Sequence, residues 1–131
     1  MDANMIKHEF YELTWEIHGG VVFLRFLPTT KRMTDDDFIE LKKVVNNFIN
    51  AYHTRILFID GKDFKKKIEN SLLTKLSETN EDSSSLKWVI HASSEPGIRK
   101  MIKVLVNGNV SISEYLSRKE LLQVYTNLMA K

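Results

Sequence analysis

After an opening pair of strand-like runs, every apolar run of strand length in this chain is followed by one at helical spacing, and that alternation leaves few folds open. Leu13, Trp15 and Ile17 alternate with Thr14, Glu16 and His18, the period-two pattern of a strand with one buried face. Gly19-Gly20 reads as a turn. Val21-Val22-Phe23-Leu24-Arg25-Phe26-Leu27 follows at once, so the two runs are expected to form a hairpin through a short glycine loop. The second run is the more continuously apolar and therefore the more central. Pro28-Thr29-Thr30 ends it.

Thr34 ahead of Asp35-Asp36-Asp37 predicts a helix N-cap with negative charge in the first turn. Phe38, Leu41, Val45, Phe48, Ile49 and Tyr52 then place one apolar stripe on that helix through about His53. Ile56-Leu57-Phe58-Ile59 is too short for a helix and suits a buried parallel strand, with Asp60 at its carboxyl end. Beyond the polar loop Gly61 to Lys67, Leu72, Leu73 and Leu76 predict a short helix capped by Asn70 or Ser71. A polar connector, Thr79 to Ser85, leads to strand character at Leu86-Lys87-Trp88-Val89-Ile90-His91. Ser93-Ser94-Glu95-Pro96 signals another helix start, with Ile98, Met101, Ile102 and Leu105 on one face and Asn107-Gly108 as the stop. Val110, Ile112 and Leu116 supply a last strand. Ser117-Arg118-Lys119-Glu120 has capping-box spacing before an amphipathic helix carrying Leu121, Leu122, Tyr125, Leu128 and Met129. The predicted order is β-β-α-β-α-β-α-β-α. It implies an α/β fold with a single-layer mixed, mostly parallel sheet of about five strands and four helices, joined by right-handed crossovers.

A length of 131 residues suits one domain, 1–131, with its core at about 13–129. Lys and Arg number 19 against 17 Asp and Glu, a net charge of +2, so nucleic acid is not the expected partner. The absence of cysteine excludes disulfides, thiolate metal sites and cysteine nucleophiles. Met1 to His8 lacks the basic start and apolar run of a signal peptide, and the longest apolar stretch, Val21 to Leu27, falls far short of the ~20 residues that span a bilayer. A cytoplasmic location without an integral membrane segment is expected. Trp15 and Trp88 alternate with polar residues and read as sheet-packing residues.

Open α/β sheets gather ligands and partners at the carboxyl ends of their strands. Two such loops are legible: Asp60 through Lys62, Asp63, Lys65, Lys66 and Lys67 to Asn70-Ser71, and His91-Ala92-Ser93-Ser94-Glu95. His91 beside Ser93 or Ser94 would need an imidazole within hydrogen-bond reach of a hydroxyl to act as a base, and no G-x-S-x-G elbow is present. A strand-end or capping role is expected for it instead. His8, His18 and His53 lack the spacing of helix-borne ligands, so neither a metal nor a cofactor is expected. Lys65-Lys66-Lys67 beside Asp60, Asp63 and Glu69 makes a mixed, solvated field. No acid, base and nucleophile set assembles in the sequence, and the expectation is a protein that is not an enzyme.

The element order, Ile56-Leu57-Phe58-Ile59-Asp60 before a loop into a short helix, Leu86 to His91 leading to Pro96-Gly97-Ile98-Arg99-Lys100-Met101, and the closing strand before Ser117 together resemble the STAS domain of anti-sigma-factor antagonists and its STAS/SEC14-like relatives. Those antagonists carry a phosphorylatable serine or threonine in an Asp-Ser-Ser/Thr-Gly segment at the start of the second helix. Ile68-Glu69-Asn70-Ser71-Leu72 is the matching stretch here, and it puts Ser71 at the phosphoacceptor position. Glu69 replaces the aspartate, Asn70 the first serine and Leu72 the glycine. Simple helix capping is the plain alternative for Ser71. The resemblance implies a bacterial regulatory protein-interaction module that docks a kinase-like or sigma-regulatory protein through Lys62, Phe64, Lys65, Lys66, Asn70, Ser71 and Thr74. The SEC14-like relatives imply an alternative, a small-molecule or lipid pocket between sheet and second helix lined by Phe64, Leu72, Leu73 and Leu76. An edge strand of the opening hairpin could support a homodimer by sheet extension, while its Lys, Arg and Glu residues also blunt such an edge.

Overall fold

In the computed structural model, described over residues 4–15, 20–28, 32–64, 68–79, 83–93, 97–106, 110–115 and 117–129, the alternation builds one six-stranded sheet whose strands lie side by side in chain order. The strands are β1 (Asn4–Lys7), β2 (Tyr11–Trp15), β3 (Val21–Phe26), β4 (Ile56–Gly61), β5 (Trp88–Ser93) and β6 (Ser111–Tyr115). The helices are α1 (Asp35–Tyr52), α2 (Asn70–Ser77), α3 (Ile98–Leu105) and α4 (Arg118–Met129). β1, β2 and β3 pair antiparallel, whereas β3 to β6 run parallel. The fold is mixed α/β with four helices and a mostly parallel sheet, as expected, but the strand count of about five is corrected to six. The added strand, β1, has no buried face, since Met5 is 58% and Ile6 40% exposed. An edge strand without a buried face shows no apolar alternation to read.

Parallel strands in chain order with right-handed crossovers place their connecting helices on one face. Phe38, Leu41, Val45 and Ile49 of α1, Leu72 and Leu76 of α2, and Ile98, Met101, Ile102 and Leu105 of α3 accordingly share one core with Leu13, Leu24, Ile59 and Val89 of the sheet. The opposite face belongs to α4. Its Leu121, Leu122 and Tyr125 pack over Phe23, Phe58 and Ala92. α4 lies mainly over β4, β5 and β6, and Tyr125 reaches Phe23 edge-on with ring centroids 4.9 Å apart.

The sequence places α1 well. Asp37 N–H donates to Thr34 Oγ1 and Thr34 N–H to Asp37 Oδ2, completing a capping box. His53 ends the helix in the left-handed region, with φ at 51°. Within the apolar face sit two polar residues that the periodicity does not mark, Lys42 and Asn46, each 1% exposed. Lys42 Nζ donates to the carbonyls of Leu76, at 2.5 Å, and Thr79, at 3.0 Å. Asn46 Nδ2 donates to Lys42 O and, on α3, to Leu105 O, both at 2.8 Å. The last carbonyls of a helix have no intrahelical donors, so α1 supplies donors to the carboxyl ends of both short helices.

Two boundaries differ from expectation. β5 starts at Trp88, because Leu86 is spent as a buried plug whose N–H bonds Ser83 O in a turn, and Ser93 belongs to the strand, not to the next helix. Ile17, Gly19, Lys65–Lys67, Ser94–Pro96, Asn107-Gly108 and Leu116 lie outside the described residues.

Lys42→Met keeps the aliphatic stem and removes the ammonium donor from Thr79 O and from Leu76 O, which also accepts from Thr79 Oγ1. A loss of about 1–3 kcal/mol is expected, read from urea unfolding. A variant as stable as the parent would show that these carbonyls find other donors.

Candidate functional site

The carboxyl end of β4 is built around a buried charge. Apolar residues 57–59 carry the strand through the core, and Asp60 follows with no exposure. Period two turns its side chain to the α4 face, where its register neighbours are Arg25 on β3 and Ala92 on β5. A carboxylate out of water requires charge partners and hydrogen bonds. Arg118, first residue of α4, donates Nε–H to Asp60 Oδ2 and Nη2–H to Asp63 Oδ2, both at 2.7 Å. Arg25 Nε lies 3.3 Å from Asp60 Oδ2 as an ion-pair contact without hydrogen-bond alignment. Lys62 N–H donates to the other oxygen, Asp60 Oδ1, at 3.2 Å. The hydrogen bonds to Asp63 and then Asp60 hold the Arg118 guanidinium charged, above its already high ordinary pKa.

From this anchor the chain runs toward α2. Phe64 is only 5% exposed and packs its ring against Phe26, at 4.9 Å, and Phe38, at 5.9 Å. Farther along, Ile68 presses on the start of α3, where a Cβ added at Gly97 would meet Ile68 Cβ at 2.8 Å. Only glycine fits there without a shift. The expected cap at Asn70 or Ser71 is corrected: Glu69 is the N-cap, without a side-chain cap bond, and Asn70 and Ser71 are the first two helical residues. Both are exposed, as is Thr74, whose Oγ1–H donates to Asn70 O at 3.0 Å.

Of the residues expected to meet a partner, Asn70, Ser71 and Thr74 therefore share the start of α2, and Lys62 lies partly exposed beside Asp60. Phe64 faces inward. Lys65 and Lys66 lie outside the described residues. Leu72 and Leu76 join Phe64 in the core, with Leu73 partly buried against it.

His91 sits in β5 with no exposure, and neither ring nitrogen has a hydrogen-bond partner. Ser93 Oγ–H donates to Gly61 O at 3.4 Å, so the described residues form no His–Ser pair. Burial lowers the His91 pKa; the Glu114 charge opposes that shift and Arg99 adds to it. Trp15 behaves as a packing residue, 4.4 Å from Phe48 between ring centroids, whereas Trp88 is 45% exposed at the amino end of β5. Among the described residues no group of three or more His, Asp or Glu side chains is placed to hold a metal ion. No described helix is long and apolar enough to cross a membrane.

Two outcomes follow from these buried charges. Arg118→Gln should cost about 2–3 kcal/mol in urea unfolding, less than the ~3–5 of a fully buried pair, because Arg25 still faces Asp60. An unchanged midpoint would remove Arg118 as the anchor. For His91 the folded pKa lies below the unfolded value of about 6.5, so the unfolded state binds more protons just below that pH. The stability of this neutral imidazole is complete above about pH 6.5 and is lost as pH falls toward the folded pKa. His91→Leu should therefore shrink the drop in thermal midpoint between about pH 7.5 and about pH 5.5. A variant that keeps the whole drop would assign it to other groups.

Comparison with family models, curated proteins and solved structures finds no match for this chain.

Proposed function

We propose that this chain is a non-catalytic regulatory protein-interaction module of the anti-sigma-factor-antagonist kind, docking a protein partner through the start of α2 and the loop before it, with phosphorylation of Ser71 as its switch. The observation that carries this reading is the placement of Ser71: it is exposed in the first turn of a helix whose N-cap provides no side-chain acceptor. The backbone N–H groups of that turn point toward the loop and favour negative charge.

Asn70 and Thr74 flank Ser71 on the outside while Leu72 and Leu76 hold the helix to the core. This division leaves a polar surface for contact and a fixed base beneath it. Lys62 adds positive charge at the root of the loop. Together with the helix dipole it suits an acidic partner surface. A phosphoryl group on Ser71 would add a charge of about −1.5 to −2, tolerated by its own helix end and repelled by that partner.

Affinity capture from the native host, with mass spectrometry of co-purifying proteins and of Ser71 peptides, tests the reading. A stoichiometric protein partner is expected with the parent chain and with Ser71→Ala. Lys62→Glu and Ser71→Asp should each reduce its recovery severalfold. Recovery unchanged in both charged variants would overturn the proposal.

A further inference from the structure

We propose a small-molecule site on the opposite face of the sheet from α2: the cleft between α4 and the open side of β2 and β3, taking a single-ring carboxylic acid that also bears a hydroxyl or amino donor. The cleft has a volume of about 130 Å³ and is lined by Glu12, Thr14, Phe23, Arg25, Leu122 and Tyr125. It exists because α4 lies mainly over β4 to β6, with the Tyr125 ring meeting Phe23 edge-on at 73°.

The chemistry of the ligand follows from Arg25. Its Nε is buried and donates no hydrogen bond, although Asp60 Oδ2 is 3.3 Å away. Arg118 is the guanidinium that donates to Asp60. Arg25 is thus a cation set beside Asp60 by charge, its side chain 38% exposed and its guanidinium 5.7 Å from the centre of the Phe23 ring. A planar carboxylate in the cleft would match the guanidinium's fork of N–H donors with two parallel bonds.

Phe23 and Leu122 offer an apolar bed beside that cation, with the Tyr125 ring standing against it. An apolar cavity of about 150 Å³ holds one benzene ring. The cleft is of a size to seat one six-membered ring. Glu12 is the direct register partner of Arg25, and its ion pair is with Lys7 at 3.8 Å, a lysine 69% exposed. A second anionic group on the ligand would meet Glu12 unfavourably. A hydroxyl or amino donor would instead be accepted by Glu12 or by Thr14 Oγ1.

Amide NMR titration of labelled protein with meta-hydroxybenzoate tests the site, with meta-hydroxybenzamide as the uncharged counterpart. Saturable shifts are expected in β2, β3 and the middle of α4, with the amide binding at least about tenfold more weakly than the acid. Arg25→Gln should weaken the acid by a similar factor. Thr14→Gln, which keeps the cation and narrows the cleft, should also weaken it. Dispersed spectra check that both variants fold, and if Arg25→Gln does not, the acid and amide comparison and Thr14→Gln decide. Absence of saturable shifts, equal affinity for acid and amide, or parent-like binding by folded Arg25→Gln would each overturn the proposal. None of these readouts involves Ser71 or its helix, so the α2 docking reading stands or falls separately.

Discussion

A carboxylate taken wholly out of water ties the two faces of this sheet together. The penalty for burying an ion is several kcal/mol even after relaxation, so Asp60 is stable only where cations and donors converge on it. Arg118 meets that demand from the first residue of α4, which ties the start of the last helix to the carboxyl end of β4. The same guanidinium extends to Asp63, and the Lys62 amide closes on Asp60 from within the loop. One buried charge thereby fixes both the start of α4 and the exit of the chain toward α2. The two proposed sites lie on either side of it. Arg25 is its neighbour on the cleft side, and Lys62 is its neighbour on the docking side.

The helical layer depends on a different economy of polar groups. α1 reaches both short helices at their carboxyl ends, Lys42 serving α2 and Asn46 serving α3. Those two helices are equal in length but unequal in anchorage. α3 buries Ile98, Met101, Ile102 and Leu105, whereas α2 buries only Leu72 and Leu76. At about 1.5–3 kcal/mol per large apolar side chain, α2 is held to the sheet by roughly half the apolar stabilisation of α3. The Lys75–Asp35 pair, 2.8 Å apart at the surface, adds little to this. Segments used for partner recognition are commonly drawn from the weakly anchored part of a fold.

What was legible in the sequence was periodic. The α1 stripe, the Thr34 cap and the apolar runs of β3 and β4 each repeat a local pattern, and the structure follows them. The polar residues that organise the fold are not periodic. Lys42 and Asn46 differ from surface residues only in what lies opposite them, which is the end of another helix. Asp60 could be placed at a strand end, but its partner Arg118 is 58 residues away and becomes a neighbour only when α4 crosses the sheet. Arg25 stands within an apolar run, Val21 to Leu27, with nothing local to mark it. Its role depends on α4 covering only part of that face, a matter of packing that no window of sequence contains. The α2 boundary moved because leucine spacing locates a helical face more securely than its first residue.

Strand order that repeats chain order has a consequence for assembly. Every pairing in the sheet joins sequence neighbours, so no strand must wait for a distant one before it can be added. The loops to be closed are the hairpin connections and three helical crossovers, and the crossovers, whose closure must precede parallel pairing, are the slower of the two. Growth can proceed from β1 toward β6 with α1, α2 and α3 covering one side as it advances. The other side is different. Phe23, Phe58 and Ala92 gain their cover only when α4 docks, after every strand has been made. Until then a nascent or truncated chain presents an apolar sheet face with the Asp60 charge at its rim, the stage at which this protein is most exposed to self-association.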